Sequence, residues 1–221
     1  MTRLRIRDLI RKRLGETTSA FWTDTELNNW INDSGHDIAD KVKCIKKNGV
    51  ITTVESTSEY VLTDAFPRIL SVYDVDFYQN GTTWVKLPLV TRLTLDATNT
   101  GWRSAPDSTP DQYYTDREEN LIGLYPSPNS NNEGAYLRVY YSQDYTDMTS
   151  DDDTPTNIPF SLQEAMVDYV VSTGYETRGW GDKTNDAKEK YIRRLKSYMI
   201  QRDFEKQEDD QDVMKNYRNI R

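Results

Sequence analysis

The hydrophobic spacing of this 221-residue chain changes twice: steps of three and four run to about Lys47, alternation begins at Val50, and helical spacing returns at Ser161. A chain divided in this way must bury helical stripes with both ends and a sheet face with its middle. The expected fold class is α+β: a small helical bundle of two N-terminal and two C-terminal helices, an inserted antiparallel β domain and an extended C-terminal arm. The expected boundaries are 1–49 for the N-terminal helices, 50–146 for the β domain, 147–160 for an acidic linker, 161–202 for the C-terminal helices and 203–221 for the arm. Fifteen Tyr and five Trp supply ring surface for a core, while a mean hydropathy of −0.83 implies extensive solvated surface.

Leu4, Ile6, Leu9, Ile10 and Leu14 fall near a helical period among Arg3, Arg5, Arg7, Arg11, Lys12 and Arg13. This predicts a basic amphipathic helix stopped by Gly15, its cations read as a solvated face in preference to a contact patch. Thr23 and Glu26 have the spacing of a capping box, so a second helix should start there. Leu27, Trp30, Ile31, Ser34, Ile38, Val42 and Ile45 carry its stripe to about Lys47, where Asn48-Gly49 should break it.

Val50–Val54, Tyr60–Leu62, Ile69–Tyr78 and Thr83–Leu87 are β-rich runs. Asn80-Gly81 suits a tight hairpin turn, which pairs strands near 69–78 and 83–88 antiparallel. Leu121–Tyr125 and Tyr136–Tyr141 read as a second hairpin around the polar loop Pro126–Gly134. Between the hairpins, Asp96–Thr115 is expected to be an ordered but irregular excursion.

Asp151, Asp152 and Asp153 mark a solvated linker, Ser161 and Glu164 a second capping box, Gly174–Gly181 a break, and Asp182 the cap of the last helix. Leu162, Ala165, Met166, Tyr169, Val170 and Thr173 make one apolar face, and Ala187, Tyr191, Leu195, Tyr198 and Met199 the next. Beyond Arg202 an acidic run could simply fray. However, Val213, Met214, Tyr217 and Ile220 recur at helical spacing, the pattern of a segment that orders on a partner.

The chemistry-bearing residues are sparse. One His (His36) and one Cys (Cys44) allow neither a disulfide nor a closed zinc site, and their separation is too long for a thiolate pair. A hydrolytic triad is disfavoured, and neither a phosphate loop nor a dinucleotide-binding glycine motif is present. Glu118-Glu119 and the aspartate run are weak candidates for acid–base or calcium chemistry. No cofactor is expected and no catalytic or metal site is assigned. With 28 Lys and Arg against 36 Asp and Glu, the net charge of −8 disfavours general nucleic-acid binding. The chain also lacks a run of roughly 20 apolar residues, so no membrane contact is expected and synthesis is expected in the cytoplasm.

The order of elements, with Phe21–Leu27 and Trp30–Asp33 at the second helix, Tyr125-Pro126-Ser127-Pro128, Val139-Tyr140-Tyr141 and Ile158-Pro159, resembles the head-to-tail adaptor (connector) family of tailed bacteriophages. It is similar also to the tail tubular adaptor of short-tailed phages. The resemblance implies a structural protein of the virion neck, repeated as a homo-oligomeric, dodecameric ring. Such a ring joins the portal protein to the next tail component, whether nozzle, stopper or tail tube, and passes genomic DNA without sequence-specific binding. It implies no enzyme activity. On that reading Phe204, Val213, Met214, Lys215, Tyr217, Arg218, Ile220 and Arg221 are expected to bind portal. Trp102, Arg103, Tyr113 and Tyr114 are expected at an intersubunit or tail-side contact, and the large β domain could instead dock fibres or whiskers. The competing reading is a carbohydrate- or peptide-binding β module using Trp84, Trp102 or Tyr114; a carboxylate hydrolase built on Glu118 and Glu119 is weaker.

Overall fold

The computed structural model describes residues 1–16, 21–79 and 83–218, with side chains for 1–16, 21–78 and 83–203. Its elements are α1 (Arg3–Leu14), α2 (Asp24–Val42), β1 (Lys46–Thr52), β2 (Glu59–Val61), the single turn α3 (Leu62–Ala65), β3 (Ile69–Gln79), β4 (Thr83–Lys86), α4 (Arg92–Thr98), β5 (Gln112–Asp116), β6 (Leu121–Tyr125), β7 (Tyr136–Gln143), α5 (Phe160–Thr177) and α6 (Gly181–Arg218). They form two units, a helical one from residues 1–44 and 145–221 and a β-rich one from 45–144. No helix among the described residues is long and apolar enough to cross a membrane.

In the helical unit α5 is the central element. Leu162, Ala165, Met166, Val167, Val170 and Val171 are all buried, so this helix is covered on nearly every side. Around it, α1 contributes Ile6, Ile10 and Leu14, α2 contributes Leu27, Ile31 and Ile38, and α6 contributes Ala187, Tyr191 and Leu195. Gly15 closes α1 at φ 76°, a left-handed angle that a Cβ would strain. At Thr23 both capping-box bonds form, and the Thr23 N–H and hydroxyl hold the Glu26 carboxyl below the usual range.

Several sequence expectations fail here for tertiary reasons. The second helix stops at Val42, because Lys46 and Lys47 pair in β1 with Ser142 and Tyr141. Gly49 lies inside that strand instead of breaking a helix, its missing side chain making room for the Phe66 ring. The second capping box does not form: α5 starts at Phe160 behind Pro159, and Glu164 accepts from Arg13 at 2.7 Å. Gly174 lies within α5, and Asp182 sits in the first turn of α6 and not at its cap.

Only half of the basic residues of α1 form a solvated face: Arg5, Lys12 and Arg13 are exposed, whereas Arg3, Arg7 and Arg11 are buried. Arg3, Arg7 and Arg11 recur every four residues on one side of the helix and are each less than 10% exposed. Asp151 receives Arg3 at 3.1 Å and Arg7 at 2.8 Å, while Arg3 also donates to the Met148 carbonyl. Arg11 meets the buried Glu16 at 3.2 Å and Asp24 at 2.5 Å, and Arg178 reaches the other oxygen of Glu16 at 3.1 Å. Arg13 and Arg194 share Asp168, each at 2.6 Å. The acidic segment expected to be solvated is therefore anchored. Its Asp151 and Asp153 carbonyls also accept the Leu4 and Arg3 N–H groups, and Met148 exchanges two hydrogen bonds with the Asn32 side chain.

The β-rich unit contains two antiparallel sheets, ordered β1-β7-β3-β4 and β2-β6-β5. Strands β3 and β4 pair as the spacing predicts; the Asn80-Gly81 turn lies outside the described residues. The second expected hairpin is absent, because β6 pairs with β2 and β5 whereas β7 lies between β1 and β3. Leu121, Ile122, Gly123 and Leu124 are all buried, the burial of a middle strand, and β7 likewise needs a partner at each edge. The irregular excursion also holds more order than expected, including the end of α4, a short turn at Trp102–Ser104 and most of β5. Val75, Phe77, Leu137, Val139 and Tyr141 of one sheet meet Tyr113, Ile122 and Leu124 of the other in one core.

Gly123 permits a second, smaller core of Leu95, Trp102, Tyr114 and Leu121, since the Tyr114 ring fills the space its Cβ would take. Gly123→Ala should lower stability by about 1–3 kcal/mol in urea unfolding, as overpacking does. Asp151 gives a pH test. Hydrogen bonds from Arg7, then Arg3, hold its carboxyl below the ordinary range against the opposing effect of desolvation. A depressed folded pKa adds stability above the unfolded value of about 4, and this is lost as pH falls through the folded value. Asp151→Asn should therefore be less stable than the native chain near neutrality, with the difference shrinking below about pH 4.

Candidate functional site

The residues that could carry catalysis are dispersed or engaged. His36 Nε2 lies 2.8 Å from Asp147, and its ring stands edge-on to Tyr145. Cys44 lies beyond the end of α2, and burial pushes its thiol up to about 11, away from thiolate chemistry. Glu118 and Glu119 sit in the β5–β6 turn, where Asp116 accepts both of their backbone N–H groups and Glu119 approaches Arg92 at 3.8 Å. Of the aspartate run, Asp151 holds the α1 arginines and Asp153 accepts from the Thr149 and Ser150 N–H groups. Among the described residues no group of three or more His, Cys, Asp or Glu could hold a metal ion.

Of the four residues expected at a contact, Trp102, Arg103 and Tyr114 lie together while Tyr113 packs into the core between the two sheets, and only Arg103 reaches solvent substantially. Trp102, Tyr113 and Tyr114 are 7%, 3% and 1% exposed. Trp102 stands edge-on to Tyr114 and donates Nε1 to Asp96 at 2.8 Å; Arg103 covers the indole at 4.4 Å and pairs with the same Asp96. Tyr114 donates its hydroxyl to Glu59 at 2.8 Å, and burial followed by that bond pushes its pKa up. Burial, with the nearby Asp74 charge adding to it, raises the Tyr113 hydroxyl to about 12. The Trp102 and Tyr114 rings support a groove of about 360 Å³ lined also by Glu59, Arg92 and Arg103. They leave little free ring face for sugar stacking.

A surface that periodicity did not single out stands on the outer face of the four-stranded sheet. Leu137, Val139 and Tyr141 point inward, so Tyr136, Arg138 and Tyr140 point outward. Arg138 lies 3.9 Å over the Trp84 ring, Tyr78 packs against both Trp84 and Tyr136, and Tyr140 donates to Asp76 at 2.9 Å. Tyr73 and Tyr136 remain 48% exposed. The signal was the strict alternation of Tyr136–Tyr141, whose polar and ring-bearing half needed a face of its own.

Of the residues expected to bind portal, Phe204, Val213, Met214, Lys215, Tyr217 and Arg218 have side chains outside the described residues, and Ile220 and Arg221 lie outside them altogether. The α6 backbone continues as helix to Arg218.

The family model described as "SU10 adaptor protein" matches residues 1–219. No curated protein matches the chain. Among solved structures, a chain from the "Neck of empty GTA particle computed with C6 symmetry" matches with 12% identity, covering 79% of this chain and 77% of that one, at a TM-score of 0.31.

The two aromatic sites should respond differently to truncation. Trp102→Ala removes a buried ring and should cost about 3–5 kcal/mol, whereas Trp84→Ala on the outer face should cost about 1 kcal/mol or less. Paired urea melts separate the two.

Proposed function

The chain belongs to the SU10 adaptor protein family, phage head-to-tail adaptors of the kind its sequence resembles, and we propose that it forms a dodecameric ring joining portal to tail in the virion neck. The family is a structural one and not an enzyme class. The observation that carries the reading is the match over residues 1–219, which takes in both units and α6.

The proposed parts follow from the chemistry of the chain. A ring of twelve copies at −8 each would carry about −96, and such a lumen repels a passing phosphate backbone in place of trapping it. The arm 203–221 offers Phe204, Val213, Met214, Tyr217 and Ile220 as apolar anchors, with Lys215, Arg218 and Arg221 as cations, for a cleft on the portal. Arg103, seated on its buried aromatic platform, would face the neighbouring subunit or the next tail component. The bundle, tied by buried ion pairs, would supply the stiffness that a conduit needs.

Native mass spectrometry with limited proteolysis tests this. Mixed with portal, the full chain should enter a large ring complex and residues 203–221 should become protected, and a chain ending at Arg202 should bind portal at least about tenfold more weakly. A full chain that stays monomeric beside portal, or a truncated chain that binds equally well, overturns the reading.

A further inference from the structure

The charge on α6 is divided along its length. Residues 187–202 carry six Lys or Arg and one Glu, whereas residues 203–212 carry six Asp or Glu and one Lys. The helix is 38 residues long and its antiparallel neighbour α5 is 18, so α6 is about 30 Å longer than the helix it packs on.

The basic stretch presents an open face. Asp186, Glu189, Lys190, Arg193, Lys196 and Ile200 line a shallow groove of about 560 Å³, in which Lys190 approaches Asp186 at 3.9 Å. Ile192 and Ile200 are 48% and 57% exposed, and Arg193 and Lys196 have no carboxylate partner among the described residues. The face thus combines unpaired cations with unburied apolar surface, the composition of a contact awaiting an acidic segment.

The acidic half of the same helix cannot fill it. Residue 205 lies nine positions beyond Lys196, about 14 Å along a rigid helix, and side chains on a helix meet only at spacings of three or four. Complementary zones on one helix that cannot meet within a chain can meet between chains. We propose that the basic face of α6 around Lys190, Arg193 and Lys196 receives the acidic stretch 203–212 of a second copy. This contact is heterologous, joining one patch to a different patch on the next copy, which is the kind that closes rings. The inference rests on the ring reading above and names the surface that joins neighbouring copies; it uses the carboxylates of 203–212 and leaves Phe204 and residues 213–221 for the portal.

Charge reversal tests it with the full chain. One variant carries Lys190→Glu, Arg193→Glu and Lys196→Glu; the other carries Asp209→Lys, Asp210→Lys and Asp212→Lys. Each is followed by sedimentation and native mass spectrometry, with and without portal, and circular dichroism checks that helix content is kept. Each variant alone should lose at least about tenfold of its assembled fraction, while an equimolar mixture, in which every interface again pairs opposite charges, should recover it to within about threefold. If both folded variants assemble like the native chain, or the mixture fails to recover, the α6 contact is overturned and the adaptor reading stands. A native chain that remains monomeric even with portal overturns the ring reading as well.

Discussion

The helical unit depends on carboxylates that the α1 arginines cannot do without. Arg3, Arg7 and Arg11 are each under 10% exposed, and a guanidinium at that depth is tolerated only when its donors are matched. Asp151, Glu16 and Asp24 match them. The consequence reaches beyond α1, because Asp151 lies 137 residues or more from every residue of that helix along the chain. The ion pairs thereby bring residues 148–153 against α1 and α2, where Asp151 and Asp153 carbonyls cap the first turn of α1. Pairing of this sort specifies an arrangement more than it adds net stability, since apolar residues of similar volume could replace it.

The β-rich unit is organised by packing. Its two sheets share one core because consecutive residues of β6 are buried on both faces, while β7 alternates between an apolar inner face and an aromatic, cationic outer one. The same alternation that buries Val139 and Tyr141 obliges Arg138 and Tyr140 to face outward. The aromatic residues consequently serve two purposes. Trp102, Tyr113 and Tyr114 close the interior, whereas Tyr73, Tyr136 and Trp84 furnish surface that an assembly partner could cover.

The adaptor reading joins these units to one requirement, a neck part that is stiff, acidic overall and able to grip different neighbours at different places. The long α6 has a distinct character in each section: apolar where it meets α5, basic on its open face, acidic in 203–212, and mixed apolar and basic toward its end. Segregation along one helix is a means of keeping several contacts apart, because the helix holds them at fixed spacing.

The first capping box at Thr23, the Gly15 stop, the β3–β4 pairing and the apolar faces of α5 and α6 were legible in the sequence, because each is decided by residues within a turn or two of one another. The resemblance to the adaptors was legible for a related reason, since it rests on the order of such local features along the chain. Tertiary structure alone decided the burial of the α1 arginines, the end of α2 at Val42, the unused capping box at Ser161 and the assignment of β6 and β7 to different sheets. In the first three a distant partner competes with the local preference and wins: Asp151 for Arg7, β7 for Lys46 and Lys47, and Arg13 for Glu164; β6 is instead held between the distant β2 and the nearer β5. Hydrophobic spacing says which side of an element is buried, but not against what, and charged residues at helical spacing read as solvent-facing until a carboxylate from far along the chain arrives to pair with them.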